Sequence, residues 1–171
     1  AASKSCKPSQ SAAPAGLTRA QAAWAAACPM IQFILVQNRQ GITRLSKYYR
    51  QYSDDERIKL EDEIHRLETG RDVKFTNFVE FKQFKLVYRR YAGLYFTLCV
   101  EQTDNELAMF ESIHLLVEVL DQFFGNVCEL DLVYNFYKVY MILDELFLGG
   151  EVQETSKRVI LERVRKLDQL E

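Results

Sequence analysis

The sequence predicts one α/β domain over residues 30–171. Three observations carry this: β-rich runs joined by short links, two capping-box patterns, and a helical C-terminal part. The length suits one domain with its own core. Apolar residues make up 48% and charged residues 27%, which places the chain with globular proteins and not with disordered ones.

The first run, IQFILVQN after Met30, is followed by ITRLSKYY. The four residues Asn38-Arg39-Gln40-Gly41 between them predict an antiparallel hairpin. Ser53-Asp54-Asp55-Glu56 is a capping box, in which Ser caps an amide three residues on and Glu reaches back. It opens a helix with Ile58, Leu60, Ile64 and Leu67 at helical spacing, closed by Gly70. FTNFVEF, FKLVYRRY and GLYFTLCVE then predict three strands, for about five in all, mostly antiparallel because the links are short. Thr103-Asp104-Asn105-Glu106 reads as a second capping box. Its helix carries Leu107, Phe110, Ile113, Leu116, Val117, Leu120 and Phe124 and breaks at Gly125-Asn126. A third helix is expected from about Glu129 to Leu148, stopping at Gly149-Gly150, and a fourth follows Glu154-Thr155-Ser156. The expected order is β-β-α-β-β-β-α-α-α.

In that third helix Asp131, Asn135, Lys138 and Glu145 form one narrow polar stripe. A helix lying on one sheet face needs an apolar arc of only about 100°, and this one is wider. It must be covered on more than one side. A partner chain is one source of cover, and the C-terminal helix of the same chain is the other.

Residues 1–29 differ from the rest. They hold all three prolines, are rich in Ala and Ser, and carry Lys4, Lys7 and Arg19 with no acid. This composition suits either a transit-like segment or an added extension before a start at Met30, and the second is preferred. The segment is expected to be disordered. With its +3 set apart, the net charge of −2 leaves −5 on the domain, a poor surface for nucleic acid or for an anionic membrane.

Chemistry-bearing patterns are sparse. Cys6 and Cys28 lie in the tail. Cys99 and Cys128 lie in apolar runs without CxxC spacing, as expected of reduced, buried thiols. His65 and His114 stand at no metal-ligand spacing, and His114 falls among core positions. The sequence contains no GxSxG, GxxxxGK[ST], GxGxxG or HExxH, so no cofactor and no enzyme activity are expected. Asp54-Asp55-Glu56 and Asp144-Glu145 read as helix-start and helix-face charge. Arg89 and Arg90 must point to opposite faces of their strand, and at least one is expected to meet a carboxylate or carbonyl, unless the strand is an edge.

Taken together, MIQFILVQNRQGITRLSKYY, FTNFVEF, YRRYAGLYF, DNELA, NVCELDLVYNFYKVY, LDELFLGGE and ETSK resemble the small (sigma) subunits of the heterotetrameric clathrin adaptor complexes. The resemblance runs from Met30 to Glu171. QNRQGITRL and FTNFVEF look most like the plasma-membrane endocytic type. It implies a longin-like (SNARE-like) fold of five antiparallel strands with helices on both sides. It also implies an obligate large alpha-type adaptin partner, with beta-type and medium (mu) chains in the same complex, and clathrin and membrane reached indirectly. The implied place is the cytoplasmic face of the plasma membrane, in coated pits. The implied task is binding acidic dileucine signals, [DE]xxxL[LI], in cargo tails. Arg44 then falls near the acidic position, and Ala92, Leu94, Val117, Asn126, Val127 and Leu132 fall where the leucines are received. Ile42 departs from the pattern, since many relatives have Lys there.

Two alternatives keep the same fold: the sigma chain of the Golgi/endosomal adaptor, and a free longin-type regulator of a trafficking GTPase. The last predicts a stable isolated monomer, whereas an adaptor subunit should be poorly soluble until co-expressed with its large chain.

Overall fold

The computed structural model describes residues 31–71 and 76–169. The tail expected to be disordered lies outside the described residues. The chain runs β1 (Ile31–Asn38), β2 (Thr43–Tyr48), α1 (Asp54–Thr69), β3 (Phe78–Phe81), β4 (Phe84–Tyr91), β5 (Leu94–Glu101), α2 (Glu106–Phe124), α3 (Glu129–Tyr134), α4 (Phe136–Leu146), β6 (Phe147–Leu148), β7 (Glu151–Val152) and α5 (Lys157–Asp168). Five strands form one sheet in the order β2-β1-β5-β4-β3, and every neighbouring pair is antiparallel.

β1 explains the layering. All eight of its residues are buried, because successive side chains enter different cores. Phe33 and Leu35 join Leu86, Cys99, Leu60 and Ile64 under α1. Ile34 and Val36 join Leu98 and Val100 under α2, α4 and α5, through Ile113, Leu116, Ile142, Leu143, Ile160 and Val164. The sheet thus has helices on both faces, as expected.

The Ser53 capping box forms in full. The Glu56 amide donates to the Ser53 hydroxyl, and the Ser53 amide to the Glu56 carboxylate at 2.9 Å. Asp54 and Asp55 lie in the first turn of α1, where acidic side chains favour the positive helix end. Ile58 departs from its expected place, being exposed while Leu60 and Ile64 are buried.

The Thr103 box does not form. Asn105 caps α2 instead, its Oδ1 accepting from the Leu107 and Ala108 amides. Asp104 turns back to accept from the Glu101 amide. Asn is as good a cap as Thr, and here it stands nearer the apolar run. With this start, Leu107 lies outside the buried stripe and is exposed.

The expected third helix is two helices and a strand. Asn135 interrupts it with φ −108° and ψ 34°, and Phe147–Leu148 leave it to pair with Glu151–Val152. Gly149 (φ 61°) and Gly150 (φ 85°) supply the two left-handed residues that a tight hairpin turn requires. This hairpin also holds the start of β1, whose Ile31 amide donates to the Gly150 carbonyl at 2.9 Å.

The C-terminal helix of the same chain supplies part of the cover for this segment. Val139, Ile142, Leu143 and Leu146 are buried within the chain, where α4 packs on α2 and α5. Leu130, Val133, Tyr134, Phe136 and Tyr137 remain exposed. Across β2, an edge strand of the sheet, the Tyr140 hydroxyl donates to the Ser46 carbonyl at 2.8 Å, and Lys47 pairs with Asp144.

Arg89 and Arg90 rest on aromatic rings. Arg89 lies over Tyr91 and Phe110, and Arg90 over Tyr95, contacts that stabilise a cation where a carboxylate was expected. Cys99 is buried, and burial pushes its thiol up to about 12, well out of nucleophilic range. Cys128 departs from expectation: it is exposed, at the start of α3. No helix among the described residues is long and apolar enough to cross a membrane.

Candidate functional site

Two tight turns and a short helix meet at one end of the sheet. In the first turn, Asn38 closes the β1–β2 connection. Its Oδ1 accepts from the Gln40 and Ile42 amides, each at 2.9 Å. Gly41 is needed there twice over. Its φ is 82°, and a Cβ would lie 2.8 Å from Cδ2 of His65.

Arg44 follows immediately, on an irregularity in the ladder. Val36 pairs with Leu45 and Gln37 with Thr43, which leaves Arg44 as the extra residue of a β-bulge. A bulge re-aims the side chain it carries. Its surroundings are fixed by Glu61 of α1, which accepts from the Thr43 hydroxyl at 2.6 Å and from the Tyr48 hydroxyl at 2.9 Å. The Arg44 Nε donates to Oε1 of Glu129 at 2.7 Å, and Asn38 Nδ2 reaches the same oxygen at 3.4 Å.

The second turn is Ala92-Gly93, between paired Tyr91 and Leu94. Both central residues have positive φ, 47° and 91°, as a two-residue hairpin of this twist demands. Ala92 holds a conformation that costs an alanine more than a glycine, and it does so on the exposed tip.

These elements frame two adjoining clefts with Arg44 between them. One, of about 360 Å³, is lined by Asn38, Arg39, Arg44, Ala92, Gly93 and Glu129. The other, of about 310 Å³, is lined by Thr43, Arg44, Leu132, Val133, Phe136 and Tyr140. Arg44, Ala92 and Leu132 are therefore brought together. Leu94 and Leu132 are buried, while Val117 and Val127 are partly buried against the same core. Asn126 is exposed beyond α2 with φ 78°, and the Val127 amide after it donates to Asp121 Oδ1 at 3.2 Å. Larger hollows lie elsewhere, one of about 540 Å³ between α1 and the β3–β4 turn and one of about 840 Å³ between α2 and β7.

Glu129 carries no local sequence mark of a site residue. As the first residue of a helix it looks like ordinary helix-start charge, and only the fold places it on Arg44. His114 is partly exposed on α2, where Nδ1 lies 2.9 Å from the Tyr91 hydroxyl and the two rings stack. Among the described residues no group of three or more His, Cys, Asp or Glu is placed to hold a metal ion.

A family model described as clathrin adaptor complex small chain matches residues 30–171. "AP-2 complex subunit sigma" of Aspergillus fumigatus is 67% identical over 144 residues, covering 83% of this chain and 99% of that protein. The protein of the same name from Dictyostelium discoideum is 64% identical over 141 residues, covering 82% and 99%. "AP-1 complex subunit sigma-2" of Arabidopsis thaliana is 50% identical over 141 residues, covering 82% and 87%. Among solved structures, a chain of a "homology model of the full-length AP-3 complex in a stretched open conformation" superposes with a TM-score of 0.67 at 29% identity, covering 82% of this chain and 95% of that one. The five-stranded antiparallel sheet between helices is the longin-like fold of sigma adaptins. With the matched residues taking in both turns, the bulge and α3, the chain belongs to the clathrin adaptor complex small chain family.

Proposed function

We propose that this chain is the sigma subunit of a plasma-membrane clathrin adaptor complex. In that role it stabilises the complex core against a large alpha-type chain and helps to bind acidic dileucine signals of cargo. The observation that carries the cargo reading is Arg44, set on a bulge between two clefts whose walls include Ala92 and Leu132. A guanidinium suits the acidic residue of [DE]xxxL[LI], and the branched wall of Leu132 suits a leucine, with Val117 and Val127 outside both clefts but partly buried on the same core. Asn126, exposed and polar, suits the backbone of a bound peptide.

The AP-2 type is favoured over the AP-1 type by similarity, 67% identity against 50% over nearly the same residues. The setting that follows is the cytoplasmic face of the plasma membrane, in coated pits, with beta-type and medium chains completing the complex. The exposed apolar side chains of α3 and the start of α4 suit a permanent partner, because monomers rarely leave such a patch uncovered. Burying two leucines contributes about 3–6 kcal/mol before the costs of association. An exposed charge contact adds about 0.2–1 kcal/mol. The peptide alone therefore binds weakly, and stable recruitment needs several contacts at once.

The test is binding of a fluorescent dileucine peptide to the reconstituted complex. Arg44→Ser and Val117→Asp should each weaken it, and equal binding by both variants would overturn the site.

A further inference from the structure

We infer that Glu129 is an internal occupant of the Arg44 anion site, which an incoming acidic side chain has to displace. This rests on the reading of Arg44 given above and adds a regulatory element to it. The contact is carboxylate to guanidinium, the same chemistry that the acidic residue of a signal would use. It runs through Nε to a single oxygen at 2.7 Å, without the two-pronged geometry that makes such pairs strongest. Asn38 Nδ2 is the other donor to that oxygen, and at 3.4 Å it holds it only loosely.

Both side chains can be reached from solvent, with 29% of Arg44 and 40% of Glu129 exposed. A pair this exposed is weak and exchanges readily. Glu129 is also first in a helix of six residues, so its side chain can swing away without moving the core beneath Leu132. The cleft keeps a second cation on its wall. The Arg39 Nε lies 3.1 Å from where a Gly93 Cβ would stand, which lays the guanidinium along the Ala92-Gly93 turn. Two cations against one acid attract an anion, and the resident carboxylate sets how strongly they do so. Glu129 thereby lowers the affinity for acidic signals and leaves the affinity for neutral ones unchanged.

The experiment uses the assembled complex and two synthetic peptides, one of the form Glu-x-x-x-Leu-Leu and one with Gln in place of Glu. Glu129→Gln should tighten the Glu peptide about two- to fivefold, the range that release of one exposed ion pair supplies. It should leave the Gln peptide unchanged, and the gain should shrink as salt is raised. Glu129→Ser, which removes the carboxylate without leaving an amide, should give the same gain. Unchanged or weaker binding of the Glu peptide in both variants, with Arg44→Ser still weakening it, would overturn the displacement idea and leave the cargo reading intact. Equal gains for both peptides would also overturn it. Insensitivity of the Glu peptide to Arg44→Ser would remove the cargo reading and this inference together.

Discussion

Replacing Tyr134 and Phe136 by serine tests whether the apolar face at the α3–α4 junction docks the large chain. Tyr134 is 74% exposed and Phe136 56% exposed. At about 200 Å² per aromatic side chain, the two together present about 260 Å² to solvent. At about 25 cal/mol per Å², covering that surface is worth about 6 kcal/mol gross. Ordering and association costs reduce this, and truncation of buried aromatic anchors typically costs about 2–4 kcal/mol. The double variant should therefore lose at least about 30-fold in affinity for the large chain. Its own folding should change far less than its docking, since both side chains are exposed and neither is part of the buried core. The assay is co-expression with the large chain, capture on a tag, and dilution to find where the pair separates. A double variant that is folded and dissociates at the same concentration as the parent would refute the assignment of this face.

Two further outcomes follow from the core. Burial pushes the Glu68 carboxyl up to about 7 from its ordinary 4.5, against a Thr97 hydroxyl that donates to Oε1. Between those values the folded chain keeps a proton that the unfolded chain has released. Stability is thus full below about pH 4.5 and falls as pH rises to 7, by about 3 kcal/mol at most. Glu68→Gln should raise the melting temperature at pH 8, leave it nearly unchanged at pH 4, and flatten the slope between; no gain at pH 8 would refute the account. Ile142→Ala empties a fully buried position on α4, in the core it shares with α2 and α5, and should cost about 2–5 kcal/mol in denaturant unfolding.

The parts of the fold legible in the sequence were those with local chemistry. Asn38 to Gly41 marks its own turn, and Ser53 with Glu56 satisfies its own helix start. β1 is legible for a different reason, since burial on both faces makes its apolar run continuous. The Thr103 box misled because three polar residues in a row offer competing caps, and Asn105 wins by position. The strand at Phe147–Leu148 was hidden because Phe and Leu serve helix and strand alike, and only pairing across Gly149-Gly150 decides between them. The candidate site was legible in Arg44 and Ala92 through resemblance, whereas the bulge beneath Arg44 and the carboxylate on it were not. Both depend on register and on an approach across 85 residues of chain, which no local pattern encodes.

The clamp across β2 bears on how this molecule avoids sticking to itself. An edge strand offers free backbone groups on which another chain can build, the first step toward fibrils. Here the carbonyl of Ser46 is already taken by Tyr140, and the Lys47–Asp144 pair closes the same flank. Growth of the sheet is thereby directed to β3, a strand of four residues with the exposed charge of Glu80. Loss of the Tyr140 hydroxyl would free the Ser46 carbonyl and leave that flank to the Lys47–Asp144 pair alone, with the core packing in place.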